Sequence, residues 1–485
     1  MRGTALSVWI TGIFVLIAAV CRSQPPQKLN VLFFLVDDLR PNLGCYGDPK
    51  AHTPHIDRLA ERGIVFTNAY CQQAICSPSR TSMLTGMRPD ETGVYDLQTH
   101  FRTAVPDAVT LPQSFKNQGY FVASTGKIFH NSKLTRDPVS WTRVAPFPGN
   151  RTYVLPENRG GKGKQAITET AEVPDTAYAD GKIAEAAIGL LAEASQKEEP
   201  FFIAVGFIKP HAPFCAPKRY WDLYDRSAFA VTDRGRPLGS PDLAFHQWQE
   251  LRGYKDVPEA GSLPMGQEQT ILHGYYACIS YVDAQIGKVL DELEALGMSE
   301  QTVVVLWGDH GYHLGEQDLW CKSTNFELAT RVPLIVSAPG MAGNGKKAGA
   351  MIESVDIYPT LNDLCGIERT AVLSGISLKP LLEDPSARWE YPAFSQFVRP
   401  YQAAIHGKNT PEHMGYSVRV PGWRCTYWYD MNNGTVVARE LYRLDDQDIE
   451  KENLAGQAGV AVMEKCLGAL TDQYRKNTYL KINSK

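Results

Sequence analysis

Three apolar segments end in side chains that can hold cations and move protons. Asn30–Val36 runs into Asp37-Asp38, Phe201–Phe207 leads to Lys209-Pro210-His211, and Thr302–Trp307 leads to Gly308-Asp309-His310-Gly311. Convergence of these ends would set three carboxylates and two imidazoles around one point. Carboxylate oxygens suit a hard divalent cation, calcium or magnesium, better than zinc, and His310 is the unusual member of the set. Taken singly, the same residues have plainer duties: an Asp pair closes a turn, and Asp309 caps a helix. Their recurrence at three strand ends is what points to a site.

The second feature is Cys76-Ser77-Pro78-Ser79-Arg80. Pro78 suits the first turn of a helix and Ser79–Gly86 can form one, so Cys76 stands just before a helix N-terminus, where the dipole favours an anion or a bound oxyanion. Arg80, one turn on, points to the same side and can pair with that anion. The plainer reading is a buried cysteine beside a capping serine. Ten cysteines occur, at 21, 45, 71, 76, 215, 278, 321, 365, 425 and 466, and nine remain without Cys21, an odd number that favours a chemical role for one thiol. No Cys-x-x-Cys pair is present, so neither a zinc knuckle nor a dithiol redox pair is indicated.

Lys127 follows a strand pattern over Tyr120–Ala123 and then Gly126, a setting that moves it from a solvated surface toward a pocket. Lys322 reads by itself as a surface lysine and His130 as the partner of a loop carbonyl. His211, flanked by Pro210 and Ala212-Pro213, is off regular strand geometry and reads as a pocket edge. His52, His55, His100 and His273 have no such setting and read as structural. His313, otherwise structural too, joins Tyr312 as a candidate for the entrance of the site.

Positioning these groups falls to an α/β framework. A continuous apolar run is the mark of a strand buried on both faces of a parallel sheet, and Asn30–Val36, Phe201–Phe207, Thr302–Trp307 and Val332–Val336 all have it. Helical spacing covers His55–Arg62, Pro106–Gln118, Thr176–Ala194 and Gln267–Leu296. The alternation predicts a large domain with a mainly parallel central sheet flanked by helices, with ligands gathered beyond the carboxyl ends of the strands. Thr135–Val173 and Ser227–Met265, rich in Pro, Gly and charge, read as long surface insertions that shape a substrate site. After about Ala387 the pattern turns to short alternating runs, Tyr416–Val420, Trp423–Tyr429 and Glu440–Arg443, followed by a helical Val460–Tyr474. Residues 28–387 are therefore expected to form the large domain, and 388–485 a small subdomain with an antiparallel sheet and a terminal helix.

At 485 residues, 44% hydrophobic and 21% charged, the chain has ordinary globular usage and excludes disordered, collagen-like and coiled-coil classes. A net charge of −4 provides no field to gather nucleic acid, so an anionic substrate must be met by locally placed cations. Met1–Arg2, the 15-residue apolar run Leu6–Val20 and the break at Cys21-Arg22-Ser23 read as a signal peptide over 1–23, the run being short for a bilayer span. An uncleaved anchor and a lipid on Cys21 are the alternatives. No second long apolar stretch follows, so the mature chain is expected without a membrane span and exported: periplasmic, secreted or lysosomal according to host. Asn150-Arg151-Thr152 and Asn433-Gly434-Thr435 are glycosylation sequons that matter only in a eukaryotic host.

Cys-x-Pro-Ser-Arg resembles the maturation signature of sulfatases, in which the cysteine is oxidised to Cα-formylglycine. From about Lys28 to the C-terminal helix the chain is similar to the formylglycine-dependent sulfatases of the alkaline-phosphatase superfamily, and within them most similar to the iduronate-2-sulfatase branch. The likeness runs through Val-Asp-Asp-Leu-Arg-Pro (36–41), Leu-Gly-Cys-Tyr-Gly-Asp (43–48), Gly-Lys-Ile-Phe-His (126–130) and Phe-Phe-Ile-Ala-Val-Gly-Phe-Ile-Lys-Pro-His (201–211). It continues through Gly-Asp-His-Gly (308–311), Leu-Gly-Glu (314–316), Trp-Cys-Lys (320–322), Arg-Val-Pro-Leu-Ile (331–335), Tyr-Ser-Val-Arg-Val (416–420) and Glu-Leu-Tyr (440–442).

The resemblance implies one calcium ion held by Asp37, Asp38, Asp309 and His310 together with modified Cys76. It implies that Arg80 fixes the formylglycine, that Lys127 and His130 contact its diol and the sulfate, and that His211 and Lys322 lie on the leaving-group side. The hydrated aldehyde would attack sulfur, His211 would protonate the departing alcohol, and His130 would take the proton whose loss lets sulfate leave. The implied partners are a formylglycine-generating maturation enzyme and a sulfated saccharide, a 2-O-sulfated uronic acid at a chain end. Cys215, where the similar enzymes carry a basic residue, bears on which sugar is taken. Two rival readings remain: a phosphonate or phosphate monoester hydrolase of the same superfamily, and a non-catalytic glycan-binding relative with an intact thiol at 76.

Overall fold

The computed structural model describes residues 28–130, 134–146, 152–368, 373–407, 410–444 and 449–483, and the side chains as far as 476. The signal segment expected over 1–23 and the sequon at Asn150 lie outside the described residues. An eight-stranded sheet carries the polar clusters. In chain order its strands are β1 (Asn30–Val36), β2 (Ile64–Tyr70), β3 (Phe121–Gly126), β4 (Arg143–Val144), β5 (Phe201–Phe207), β6 (Thr302–Gly308), β7 (Arg331–Ser337) and β8 (Lys347–Glu353). Across the sheet they run β8-β2-β7-β6-β1-β5-β3-β4. All pairs are parallel except those of β7, which lies antiparallel between β2 and β6. Its apolar run correctly signals burial on both faces but carries no information on direction, because both kinds of ladder accept the same side chains when covered on each side.

Strict alternation splits β1 between two cores. Leu32, Phe34 and Val36 face a layer built on α2 (Ala179–Ala194) and α3 (Met265–Ala295). Val31, Phe33 and Leu35 face α1 (Cys76–Thr85) and the helices Leu111–Asn117 and Ile357–Leu364. Register then settles where the polar ends fall. Val36 lies opposite Phe207 on one side and Gly308 on the other, so β1, β5 and β6 stop level with one another. A slip of one residue would turn every apolar side chain to the wrong layer, which is why this level finish is strongly specified.

The C-terminal region forms an antiparallel sheet of β9 (Ala393–Arg399), β10 (His413–Val420), β11 (Trp423–Asp430) and β12 (Val436–Arg443), followed by α4 (Ala461–Asn483). Its first strand, Ala393–Arg399, has no counterpart in the sequence reading. The two insertions fold against each other: Thr168–Ala171 pairs in parallel with Phe214–Pro217, and Lys164 bridges to Tyr254. They bury Trp141, Ile167, Phe229 and Leu251, so they are part of the packed body as well as of the surface. All nine described cysteines are unpaired. Their odd number therefore says nothing special about Cys76; its surroundings do. No helix among the described residues is long and apolar enough to cross a membrane.

Candidate active site

The level ends of β1 and β6 bring the expected carboxylates together. Asp309 N–H donates to Val36 O (3.1 Å), which fastens the chain after β6 to the last residue of β1. Asp38 turns with φ 59°, in the left-handed region that Asp tolerates better than most residues, and its N–H donates to Asp309 Oδ1 (3.0 Å). Tyr275 of α3 holds the turn through its hydroxyl, which donates to Asp38 O (2.8 Å). All three carboxylates and His310 are sealed from solvent.

Cys76 is the first residue of α1, which begins three residues before the Ser79–Gly86 range read from the sequence, with Ile75 extended at the cap. Its Sγ lies 3.4 Å from His310 Nε2. One turn on, Arg80 donates from Nε to Asp309 Oδ2 (2.8 Å), from Nη2 to Asp37 Oδ1 (3.2 Å) and from Nη1 to Ile128 O (3.1 Å). Its anionic partners are thus two carboxylates. The Ser79 hydroxyl donates to Asp309 O and pins the same turn.

Lys127 leaves β3 through Gly126 (φ 77°) and passes so close to β5 that a Cβ at Gly206 would sit 2.0 Å from Lys127 O. Only glycine permits that approach. It delivers Lys127 Nζ to 2.5 Å from Asp37 Oδ2. Lys322 Nζ lies 2.9 Å from both oxygens of Asp38 and 3.1 Å from Glu250 Oε1. His211 gives its Nδ1–H to Ala212 O (2.6 Å) and sets Nε2 at 3.6 Å from Glu250 Oε1. His130 borders the same space, and its Nδ1 has no hydrogen-bond partner among the described residues.

Charge is unevenly satisfied here. Burial is the largest influence on Asp37 and opposes its ionisation, but Lys127, His211 and Arg80 together outweigh it and hold that carboxyl well below its usual range. For Asp38 burial wins: with Asp37 and Cys76 adding negative charge nearby, its carboxyl is pushed well up despite Lys322. Burial also opposes charge on His310, yet Asp309 and Asp38 lift it to about 9. Burial and Lys127 bring His130 down to about 3, and burial and Lys322 bring His211 well down, so both imidazoles are neutral at pH 7. One ligand atom each from Asp37, Cys76, Asp309 and His310 lie within 4.8 Å of one another, and a second such group joins Asp37, Asp38 and Cys76 to His211. A set dominated by carboxylate oxygens, crowded enough to push one of them toward protonation, fits a hard divalent cation.

A cavity of about 440 Å³ opens above Cys76, with His130, His211 and Lys322 in its walls. Lys164 and Glu250 from the two insertions, and Tyr401 and His406 from the C-terminal region, complete it. A larger groove of about 600 Å³ lies at the opposite end of β6, beside Thr302 and Arg62, away from these groups.

All the candidates at 37, 38, 76, 80, 127, 130, 211, 309, 310 and 322 therefore meet at one end of the sheet. Glu250, Lys164 and Tyr401 were not legible, since no local motif marks them. Tyr312 and His313 do not line the entrance. Folding back of His313–Leu314 onto Trp320–Cys321 turns both inward, where the Tyr312 hydroxyl donates to Cys321 Sγ (3.1 Å) and His313 Nε2 meets Thr324 Oγ1 (3.0 Å). Cys215 is likewise fully buried, in the strand Phe214–Pro217, and faces the core.

The fold is of the alkaline-phosphatase-like class, and the chain belongs to the sulfatase family, whose model matches residues 29–367. A model described as N-sulphoglucosamine sulphohydrolase, C-terminal, matches 315–477. Human iduronate 2-sulfatase is 33% identical over 501 aligned residues, covering 88% of this chain and 91% of the relative. Among solved structures, one described in complex with its substrate D-glucosamine-2-N,6-O-disulfate has a TM-score of 0.76 at 24% identity, covering 93% of this chain and 98% of its own. The phosphonate monoester hydrolase of Agrobacterium radiobacter also reaches 0.76, at 20% identity, covering 93% of this chain and 96% of its own. At these identities both show a shared fold.

Proposed function

We propose that the protein removes sulfate from a 2-O-sulfated uronic acid at the end of a saccharide chain. The reading rests above all on Cys76 at the start of α1, with its sulfur grouped with Asp37, Asp309 and His310 at the floor of a cavity. Membership of the sulfatase family supports sulfate ester cleavage, and likeness to iduronate 2-sulfatase supports the sugar. Residues 28–387 serve as the catalytic domain and 388–485 as the C-terminal subdomain. The segment 1–23 exports the chain, and a formylglycine-generating enzyme matures it.

Asp37, Asp38, Asp309 and His310, together with the modified side chain at 76, would hold one calcium ion. When present, calcium supplies a Lewis acid beside position 76, and oxidation of Cys76 to formylglycine supplies a hydrated aldehyde as nucleophile. Arg80 keeps Asp37 and Asp309 in place through its two ion pairs. Lys127 and Lys322, paired with Asp37 and Asp38, would present their ammonium groups to the sulfate oxygens. His211, with Nδ1–H committed to Ala212 O, carries on Nε2 the proton for the departing alcohol. An anionic sulfate ester beside it counters the burial and the Lys322 charge that hold this imidazole neutral. His130, neutral and with a free Nδ1, receives the proton from residue 76.

The test is a sulfate-release assay on a panel of sulfated uronate and hexosamine disaccharides, with aryl phosphate and phosphonate alongside and residue 76 checked by mass spectrometry in the same batch. Release from the 2-O-sulfated uronate by protein carrying formylglycine is the expected result. Faster phosphonate cleavage would favour the hydrolase reading, and an intact thiol on protein from its native host would favour a glycan-binding one.

A further inference from the structure

The cavity has two ends, and Glu250 connects them. Its carboxylate faces Lys322 and His211 at the floor. Its backbone carbonyl, at the rim, accepts a hydrogen bond from Lys164 Nζ (3.0 Å). The two ammonium groups thus meet opposite ends of one glutamate, Lys322 Nζ at 3.1 Å from Oε1 and Lys164 Nζ at 3.0 Å from the carbonyl, an arrangement that can address two groups of a single sugar ring. Lys164 is held there from three sides: its backbone bridges to Tyr254, its ammonium lies 4.5 Å from the centre of the Tyr254 ring, and Glu250 O fixes the third direction. Among the described residues no carboxylate pairs with this ammonium. An ammonium has three donors, and one carbonyl with one ring face leaves capacity for an anion. Lys322, by contrast, already lies between two carboxylates.

We infer that Lys164 is a specificity-determining residue, pairing with the carboxylate of the sugar that bears the scissile sulfate. This deepens the uronate reading and rests on it. A 2-O-sulfated uronic acid carries its sulfate and its carboxylate across the ring from each other, so one end meets Lys127 and Lys322 while the other meets Lys164.

The test compares a 2-O-sulfated uronate disaccharide with its carboxyl-reduced counterpart, in which a hydroxymethyl group replaces the carboxylate. Wild type is expected to prefer the uronate, and K164M to lower the ratio of the two kcat/KM values about tenfold, the worth of one charge-assisted hydrogen bond. The loss should appear in KM for the uronate, with kcat little changed, and K164R should recover most of it. An equal loss on both substrates, or an unchanged ratio, would overturn the role of Lys164 while leaving uronate desulfation intact. A wild-type protein that cleaves the reduced sugar or the hexosamine sulfates but not the uronate would instead remove the uronate reading, and this inference with it.

Discussion

Two assemblies of buried charge can be set side by side. One is the centre at the ends of β1 and β6. The other lies in the seam between the large sheet and the C-terminal one, where Glu327 meets Arg419 (3.0 Å) and Arg424, and Arg424 also reaches Glu450. Both are closed to solvent. In the seam Glu327 also accepts from the Tyr70 hydroxyl (2.7 Å), and the two guanidiniums overcome burial to hold it at about 2. At the centre, burial and a neighbouring carboxylate push Asp38 the other way. Closed by fixed ion pairs, the seam cluster joins two sheets. With anionic charge that its lysines do not fully relieve, and a cavity beside it, the centre is built to receive something. A buried ion pair is in itself weak evidence for either role; the difference lies in whether the partners can be exchanged.

The comparison breaks most visibly at Cys76. Cys76→Ala should lower sulfate release by a factor on the order of 10⁴ or more while the melting curve stays cooperative, and retained turnover would end the nucleophile assignment. Asp309→Asn should lose calcium: bound metal measured on the purified variant should fall to background, and the rise in melting temperature on adding calcium should vanish. Normal metal content would show that the ligand lies elsewhere. In the seam the expectation reverses. Glu327→Gln leaves Arg419 without its carboxylate and Arg424 with Glu450 alone, and should lower unfolding free energy in denaturant by about 3–5 kcal/mol while turnover per folded molecule persists. Unaltered stability there would dissolve the distinction.

The smallest effect sharpens the same contrast through pH. Glu440, in the seam, accepts from Trp428 Nε1 (2.7 Å) and the Tyr442 hydroxyl (2.6 Å), and burial raises it from 4.5 to about 7. Between those values the native state keeps a proton that the unfolded chain has lost, so its contribution to stability falls as pH rises through that window. Glu440→Gln should flatten the slope of unfolding free energy there. Glu327 has the opposite sign, its stabilisation complete above about 4.5 and lost as pH falls toward about 2.

Much of this was visible in the order of residues, and its limits follow from range. The doubly buried strands Asn30–Val36 and Phe201–Phe207 were read to the residue, because continuous apolar runs report burial directly. Asp37-Asp38, Asp309-His310 and Cys76 to Arg80 were legible because each group sits in a short motif attached to a strand end or a helix start. Lys322 was an ordinary lysine until tertiary structure brought it to Asp38 from 284 residues away. Glu250 and Lys164 lie in insertions whose composition shows only that they are loops. The inward turn of Tyr312 and His313, the reversed direction of β7 and the Glu327 seam were equally beyond local reading. Periodicity and motif act over a few residues and decide which side chains are available and which face is buried. Which of them meet is decided by register between strands and by loop packing, interactions between positions that the chain itself keeps far apart.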